Sequence, residues 1–321
     1  MDEMTILEFE AFLEELDGNI AKLREAARRE HNAAATREAD RMQQERANLI
    51  QRFFARLTPW DNVLLARHKD RPYSLDYIGA ICDDFLELHG DRLFGDDGAL
   101  VGGMARLGGR PTMILGQQKG RDLKERQKRN FGYMKPEGYR QALRLMQLAG
   151  RYGRPVVSFV DTPGADPNVG SEERGISESI ARNLREMSVL PTPTIAVVIG
   201  EGGSGGALGI AACDRVLMLS HSFYSVIAPE GCASILYRDA AKGADAARAM
   251  RVTAKDALEL GLVDAVIEEP PGGAHRDPIA AADAVKEAVL SALESLSELS
   301  TAELLSRRAR RLRALGRWSA A

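Results

Sequence analysis

The sequence predicts an α/β protein with a layered core, and three features predict it. Short apolar runs such as Pro155 to Val160, Thr194 to Ile199 and Arg215 to Leu219 have the length and composition of strands. Amphipathic segments with three- and four-residue apolar spacing stand between them. Ahead of this alternation, 100–107 and 111–116 flank Gly108-Gly109, the signal of a β-hairpin. Strand following helix following strand argues for helices layered on a sheet.

Taken in order, the first 57 residues read as an antiparallel helical hairpin. Ile6, Phe9, Leu13, Leu16, Ile20 and Leu23 recur at helical spacing among charges, and the polar segment His31 to Ala35 turns the chain. Leu49, Ile50, Phe53, Phe54 and Leu57 form an apolar end before Thr58-Pro59. Such a hairpin suits an interface better than catalysis. Residues 58–97 read as a linker with connecting helices, with Tyr77, Ile78, Ile81, Phe85 and Leu88 on one stripe. After the β-hairpin, Tyr139, Ala142, Leu143 and Met146 mark one helix; Ile176, Ile180, Leu184 and Met187 mark another. A glycine-rich turn at 200–206 leads to a small helix starting near Ala207, and Glu259 to Asp264 gives a helix, a glycine stop and a short strand. A Pro/Gly break at 270–273 precedes a last helix over 279–296, which closes an α/β domain spanning 98–296. Residues 297–321 read as a basic C-terminal tail, with its charge between Arg307 and Arg317.

Composition excludes several classes. A chain of 321 residues, 45% hydrophobic and 28% charged, buries a real core and is not broadly disordered. The net charge of -3 provides no overall attraction for nucleic acid, so anion binding would need a local patch. Cys82, Cys213 and Cys232 are far apart without zinc-ligand spacing, so the expectation is buried free thiols and no metal. The start Met1-Asp2-Glu3-Met4 is acidic where a leader would be basic, and no run is apolar enough to span a membrane; the expected location is cytoplasmic.

Two strand ends could carry chemistry, because ligands gather there in α/β folds. Asp161-Thr162-Pro163-Gly164-Ala165-Asp166-Pro167 reads either as a tight turn with Asp161 capping local amides or as the small-residue wall of a cofactor pocket. The second, Glu201-Gly202-Gly203-Ser204-Gly205-Gly206, strips side chains from the backbone ahead of a helix N-terminus, which suits either close packing or an oxyanion hole. No Gly-Lys-Ser/Thr follows, so it is not a P-loop. It does match Gly-x-Ser-x-Gly, but a serine hydrolase needs a later histidine base, and nothing distinguishes His221 or His275. A third chemistry uses the amides alone to hold an enolate or ureido anion. The basic stretch Lys119 to Arg129 reads equally as a solvated helix face or as a site for phosphates or an acidic partner, with Lys119, Arg121, Arg126 and Arg129 as the candidate cations.

Several stretches together resemble the α subunits of bacterial acetyl-coenzyme A carboxylase carboxyltransferase. They are Gln118 to Arg121, Arg129 to Gly132, Pro136 to Arg140, Asp161 to Ala165, Glu172 to Gly175, Ala181 to Met187, Gly200 to Leu208, Ser225 to Ile227 and Pro229 to Leu236. The resemblance runs from the helical hairpin to Gly272-Gly273-Ala274-His275-Arg276.

It implies a crotonase-like (ClpP/crotonase) fold of repeated ββα units forming a superhelix, preceded by the helical hairpin. The implied reaction transfers a carboxyl group from carboxybiotin on the biotin carboxyl carrier protein to acetyl-CoA, giving malonyl-CoA, the first committed step of fatty acid synthesis. It also implies a zinc-containing β subunit sharing the active site, biotin carboxylase as a further partner, and an α2β2 assembly. Biotin would not be attached to this chain. The amides of Gly205, Gly206 and Ala207 would form the oxyanion hole, and Gly164, Ala165, Gly202, Gly203 and Ser204 would line the biotin pocket. The sequence departs from the family at Gln117, usually histidine, and at Asp166 and Asn168, usually tyrosine and glycine. The alternative is a related subunit acting on another acyl-CoA, either a decarboxylase or a different carboxylase.

Overall fold

The computed structural model describes residues 4–316; Met1 to Glu3 of the acidic start and residues 317–321 of the basic tail lie outside the described residues. Helices α1 (Ile6–Glu30) and α2 (Ala33–Phe54) form the expected hairpin. Thr5 and Glu8 close a capping box on α1, and the Asn32 side chain accepts the amides of Ala34 and Ala35 at the start of α2. The turn is therefore shorter than the polar segment suggested. Phe9 stacks on Phe53 at 3.9 Å between centroids, and with Ile6, Leu13 and Ile50 it packs on Leu65 of α3 (Pro59–Ala66). The root of the hairpin is thereby fixed to the core.

After α4 (Ser74–Ile81) the chain turns at once into strand β1 (Cys82–Glu87), so Phe85 is not on the helix that the Tyr77 to Leu88 stripe predicts. Antiparallel pairing with β2 (Leu100–Leu107), from Cys82 opposite Leu107 to Glu87 opposite Gly103, overrides the local spacing. Strands β2 and β3 (Arg110–Gln117) form the expected hairpin, with Gly108 and Gly109 at φ 56° and 75°, the left-handed pair that a two-residue turn requires.

Helices α5 (Leu123–Lys128) and α6 (Pro136–Arg151) lead to β4 (Val156–Thr162); α7 (Val169–Glu173) and α8 (Ile176–Ser188) lead to β5 (Thr194–Gly203). Then follow α9 (Ser204–Ala211), β6 (Arg215–Leu219), β7 (Phe223–Ser225), α10 (Pro229–Tyr237), α11 (Gly243–Met250), α12 (Ala254–Glu259), β8 (Ala265–Ile267), α13 (Pro278–Ser297) and α14 (Thr301–Ala314).

The sheet order is β1-β2-β3-β4-β5-β6-β8, antiparallel among β1 to β3 and parallel from β3 onward. Strands β4 and β5 are buried along their whole length. One face packs on Tyr139, Met146, Met187 and Ile210 from α6, α8 and α9; the other packs on Tyr77, Val285, Val289 and Leu293 from α4 and α13. Strand β5 outruns its neighbours. Residues 195–198 pair with β6, whereas Glu201, Gly202 and Gly203 pair with β7. The C-terminal basic segment is the helix α14, and its Arg308 is 1% exposed, donating to Asp214 and to the carbonyls of Met187, Leu190 and Thr192.

Candidate active site

The glycine segment is less a turn than an abrupt junction. Gly200 to Gly203 are strand, and α9 begins at Ser204 rather than near Ala207. Ser204 takes φ 55°, the left-handed conformation that reverses the chain in one residue.

Close packing explains most of the glycines. A Cβ on Gly200 would lie 2.5 Å from Asp161 Oδ1, and one on Gly202 2.6 Å from the Tyr224 ring. On Gly203 it would run into the Pro163 and Thr162 carbonyls, and on Gly206 it would sit 2.6 Å from the Ala165 nitrogen. The Asp161 to Ala165 and Ser204 to Gly206 segments thus touch backbone to backbone. Gly205 differs. The nearest atoms to its missing side chain belong to Ile180, at 3.7 and 3.9 Å, so packing does not demand glycine there.

Gly205 and Ser204 line a cavity of 430 Å³, walled by Leu184, Leu208, Tyr224, Val226, Leu312 and others, with Arg311 at its edge. Helix α9 has Gly203 as N-cap, without a side chain bonded to its first amides or an acid in its first turn. In a helix starting at Ser204, the amides of Ser204, Gly205 and Gly206 precede the first i to i−4 bond and carry the positive end of the dipole. The amide of Ala207 closes that first bond onto Gly203, and Ala207 is fully buried in the core cluster. Of the three residues expected to form the oxyanion hole, Gly205 lines the cavity, whereas Gly206 and Ala207 are buried behind it.

Gln117 holds this junction together. Fully buried, its side-chain amide donates to the Gly206 carbonyl at 2.8 Å, while its oxygen accepts the Asp161 amide at 3.2 Å. The residue that departs from the resemblance thus ties the end of β4 to the start of α9. Asp166 and Asn168 compensate one another: Asp166 accepts from the Asn168 side chain at 2.6 Å and from Ser171 at 2.5 Å, which occupies both carboxylate oxygens.

Beneath the junction lies a buried ion-pair network. Lys119 Nζ is 2.8 Å from Asp161 and 2.5 Å from Glu201. Glu201 also meets Arg67 at 2.6 Å, and Arg67 meets Glu230 at 2.6 Å. Burial would discharge Lys119, but the two carboxylates hold it charged, above its ordinary range. Burial likewise opposes ionisation of Glu201, yet Lys119 and Arg67 keep its carboxyl low. Asp161, which one of the two sequence readings has capping local amides, accepts the Glu201 amide on the neighbouring strand at 2.9 Å.

Each of the four candidate cations is engaged within the chain, and Lys119, Arg121 and Arg126 lie close enough to Tyr73 to act on its hydroxyl together. Lys119 belongs to the network above; Arg121 pairs with Asp76 and covers the Tyr73 ring; Arg126 donates to the Gly120 carbonyl; Arg129 donates to Gly98. Neither histidine considered for a serine triad lines the cavity at Ser204. His221 shares a hydrogen bond with Asn62 and meets the Phe54 ring edge, and His275 packs on His68 beside Glu10. Sequence does not point to Arg67, and it names Glu201 only as the start of the glycine segment and Tyr139 only as a helix marker, although the Tyr139 hydroxyl donates to the Gly206 carbonyl at 3.3 Å.

Comparison with known proteins shows the family. Residues 6–316 match the family described as acetyl co-enzyme A carboxylase carboxyltransferase-like. The acetyl-coenzyme A carboxylase carboxyl transferase subunit alpha of Alcanivorax borkumensis is 53% identical over 310 residues, 97% of this chain and 96% of that one. The subunit of the same name from Geobacter metallireducens is 51% identical over 313 residues, 98% of each. Among solved structures, transcarboxylase 12S superposes with a TM-score of 0.55 at 25% identity, over 71% of this chain and 43% of that one. A Pseudomonas malonate decarboxylase hetero-tetramer, solved with coenzyme A, gives 0.57 at 20% identity, over 75% and 95%. These neighbours bear out the crotonase-like fold. The full-length match and the α-subunit relatives place the chain in the acetyl-coenzyme A carboxylase carboxyltransferase family, to which it belongs.

Proposed function

We propose that this chain is the α half of the carboxyltransferase that carries the carboxyl group of carboxybiotin to acetyl-CoA, yielding malonyl-CoA. The observation that carries the reading is the uncapped start of α9, where Ser204 and Gly205 line an apolar cavity with no nucleophile–base pair among its described lining residues. Biotin suits this lining: its ring system is largely apolar and its ureido group presents one oxygen for backbone donors. When bound, it supplies the transferable carboxyl and, after release, a basic ureido group, so the protein needs no base of its own. The chain's part is to orient that oxygen on the amides of Gly205 and Gly206 at the start of α9, with Gly164 and Ala165 packed directly against the Gly206 backbone.

The partner reading rests on surface chemistry. Leu208, Val226, Ile235 and Leu236 near the cavity and on α10 are 43% to 77% exposed, an apolar face suited to the zinc-containing β subunit that would complete the CoA site. An α2β2 assembly served by the biotin carboxyl carrier protein and biotin carboxylase follows from that reading. No described helix is long and apolar enough to cross a membrane.

The test is reconstitution with a β subunit and carboxylated carrier, offering acetyl-CoA and longer acyl-CoAs in competition. Malonyl-CoA as the main product supports the reading. Preference for another acyl-CoA would favour the alternative, and no transfer where a known α subunit succeeds would refute both.

A further inference from the structure

Where α1 meets the core, three potential metal ligands from three distant parts of the chain converge. Glu10 on α1, His68 just after α3 and His275 in the Gly272 to Arg276 loop each offer one ligand atom, all within 4.8 Å of one another. Among the described residues, Glu10 Oε1 and both ring nitrogens of His275 are buried without a hydrogen-bond partner. The His275 side chain is 4% exposed and that of Glu10 is 9% exposed, so bulk solvent does not satisfy them and their open valences call for an occupant.

We propose that Glu10, His68 and His275 bind a divalent transition-metal ion of the zinc class, which pins the helical hairpin to the catalytic core. The ligand types are those of such sites, two imidazoles and one carboxylate. The spacing agrees as well. Zinc–ligand bonds of about 2.0–2.1 Å in a tetrahedron put neighbouring ligand atoms about 3.3 Å apart. Glu10 Oε1 lies 3.4 Å from His275 Nε2, an ion-pair distance that is also close to that tetrahedral edge. The widest allowed pair, 4.8 Å, closes to the same edge with a shift of about 1.5 Å. His68 is half-buried, its ring 4.1 Å from that of His275, so a water ligand can reach the fourth position.

The surroundings support the ligands. Arg276 holds the other oxygen of Glu10, so Oε1 faces His275, as outer-sphere partners orient a ligand in metal sites. The one competing contact is the Asp70 amide, 3.3 Å from His68 Nδ1, which a metal on that nitrogen displaces. Sequence gave no sign of this site because no two of its ligands are near each other in the chain. His68 follows Arg67, which grips Glu201, so an ion here would also steady the end of β5.

The test uses the full chain, stripped with chelator and dialysed against Zn2+ or Co2+. The proposal predicts one Zn2+ per chain, a higher Tm with metal, and a Co2+ spectrum of four-coordinate type without a thiolate charge-transfer band. Glu10→Gln and His275→Gln should each weaken Zn2+ binding at least tenfold. Unchanged binding in both variants, no retained ion in the parent chain, or an octahedral or thiolate Co2+ spectrum would overturn it. If the variants do not fold, the Co2+ spectrum of the parent chain decides.

Discussion

Substitution at Gly205 separates the role of the amide row from its packing. A methyl group at Gly205 meets only Ile180 at 3.7 and 3.9 Å, ordinary contact distances, and removes a helical glycine. Gly205→Ala should therefore fold with stability equal to the parent or higher by up to about 1 kcal/mol. Gly205→Val places branched methyls over the amides facing the cavity. If a ureido oxygen must reach those donors, losing one such contact costs roughly 3–4 kcal/mol, or about 10²–10³ in kcat. Gly206→Ala behaves differently, because its Cβ falls 2.6 Å from the Ala165 nitrogen and forces two backbones apart; about 1–3 kcal/mol of stability should go as well. The assays are urea unfolding of the chain and malonyl-CoA formation by the reconstituted enzyme. A Gly205→Val enzyme that folds and turns over at the parental rate would refute the reasoning.

Further consequences follow from the same contacts. Gln117→Leu keeps the volume but leaves the Gly206 carbonyl and the Asp161 amide without their partner; stability should fall by about 1–3 kcal/mol for each, with kcat falling more than KM rises. Ser204→Ala should keep most of the activity, since the hydroxyl has no base beside it, and Ser204→Gly should raise Tm by removing the strain at φ 55°. Arg308→Ala strips Asp214 and three carbonyls of a fully buried partner, so urea unfolding should register a loss of about 3–5 kcal/mol. Glu269 is fully buried, which alone would raise its carboxyl, but the Arg71 pair at 2.6 Å holds it down to about 2 from an ordinary 4.5. Because the folded value is depressed, this stabilisation is complete above pH about 4.5 and is lost as pH falls towards 2; Glu269→Gln should flatten the stability profile across that window.

The sequence was legible where local pattern and tertiary structure agree. The helical hairpin, the Gly108-Gly109 turn and the alternation from α6 to β5 each follow from spacing and turn chemistry. Strand β1 was not legible, because Tyr77 to Leu88 keeps helical spacing through a segment whose structure is fixed by a partner strand about twenty residues later. At the site, the glycine segment and the Asp161 to Ala165 turn stood out, but their relation did not. Four glycines are there for contact with Asp161, Tyr224 and the facing turn, which only the folded chain reveals. Lys119 looked like part of an anion patch because its basic neighbours are visible in sequence, whereas its partners Asp161 and Glu201 lie on other strands. Asp166 and Asn168, each unusual alone, make sense as a hydrogen-bonded pair.

The most direct measurement is a crystal structure of the assembled carboxyltransferase with biotin bound. The account predicts the ureido oxygen about 2.7–3.1 Å from the backbone nitrogens of Gly205 and Gly206, with the ring in the cavity between Leu208 and Val226. A ureido oxygen held by side chains elsewhere, with those two amides facing solvent, would contradict it.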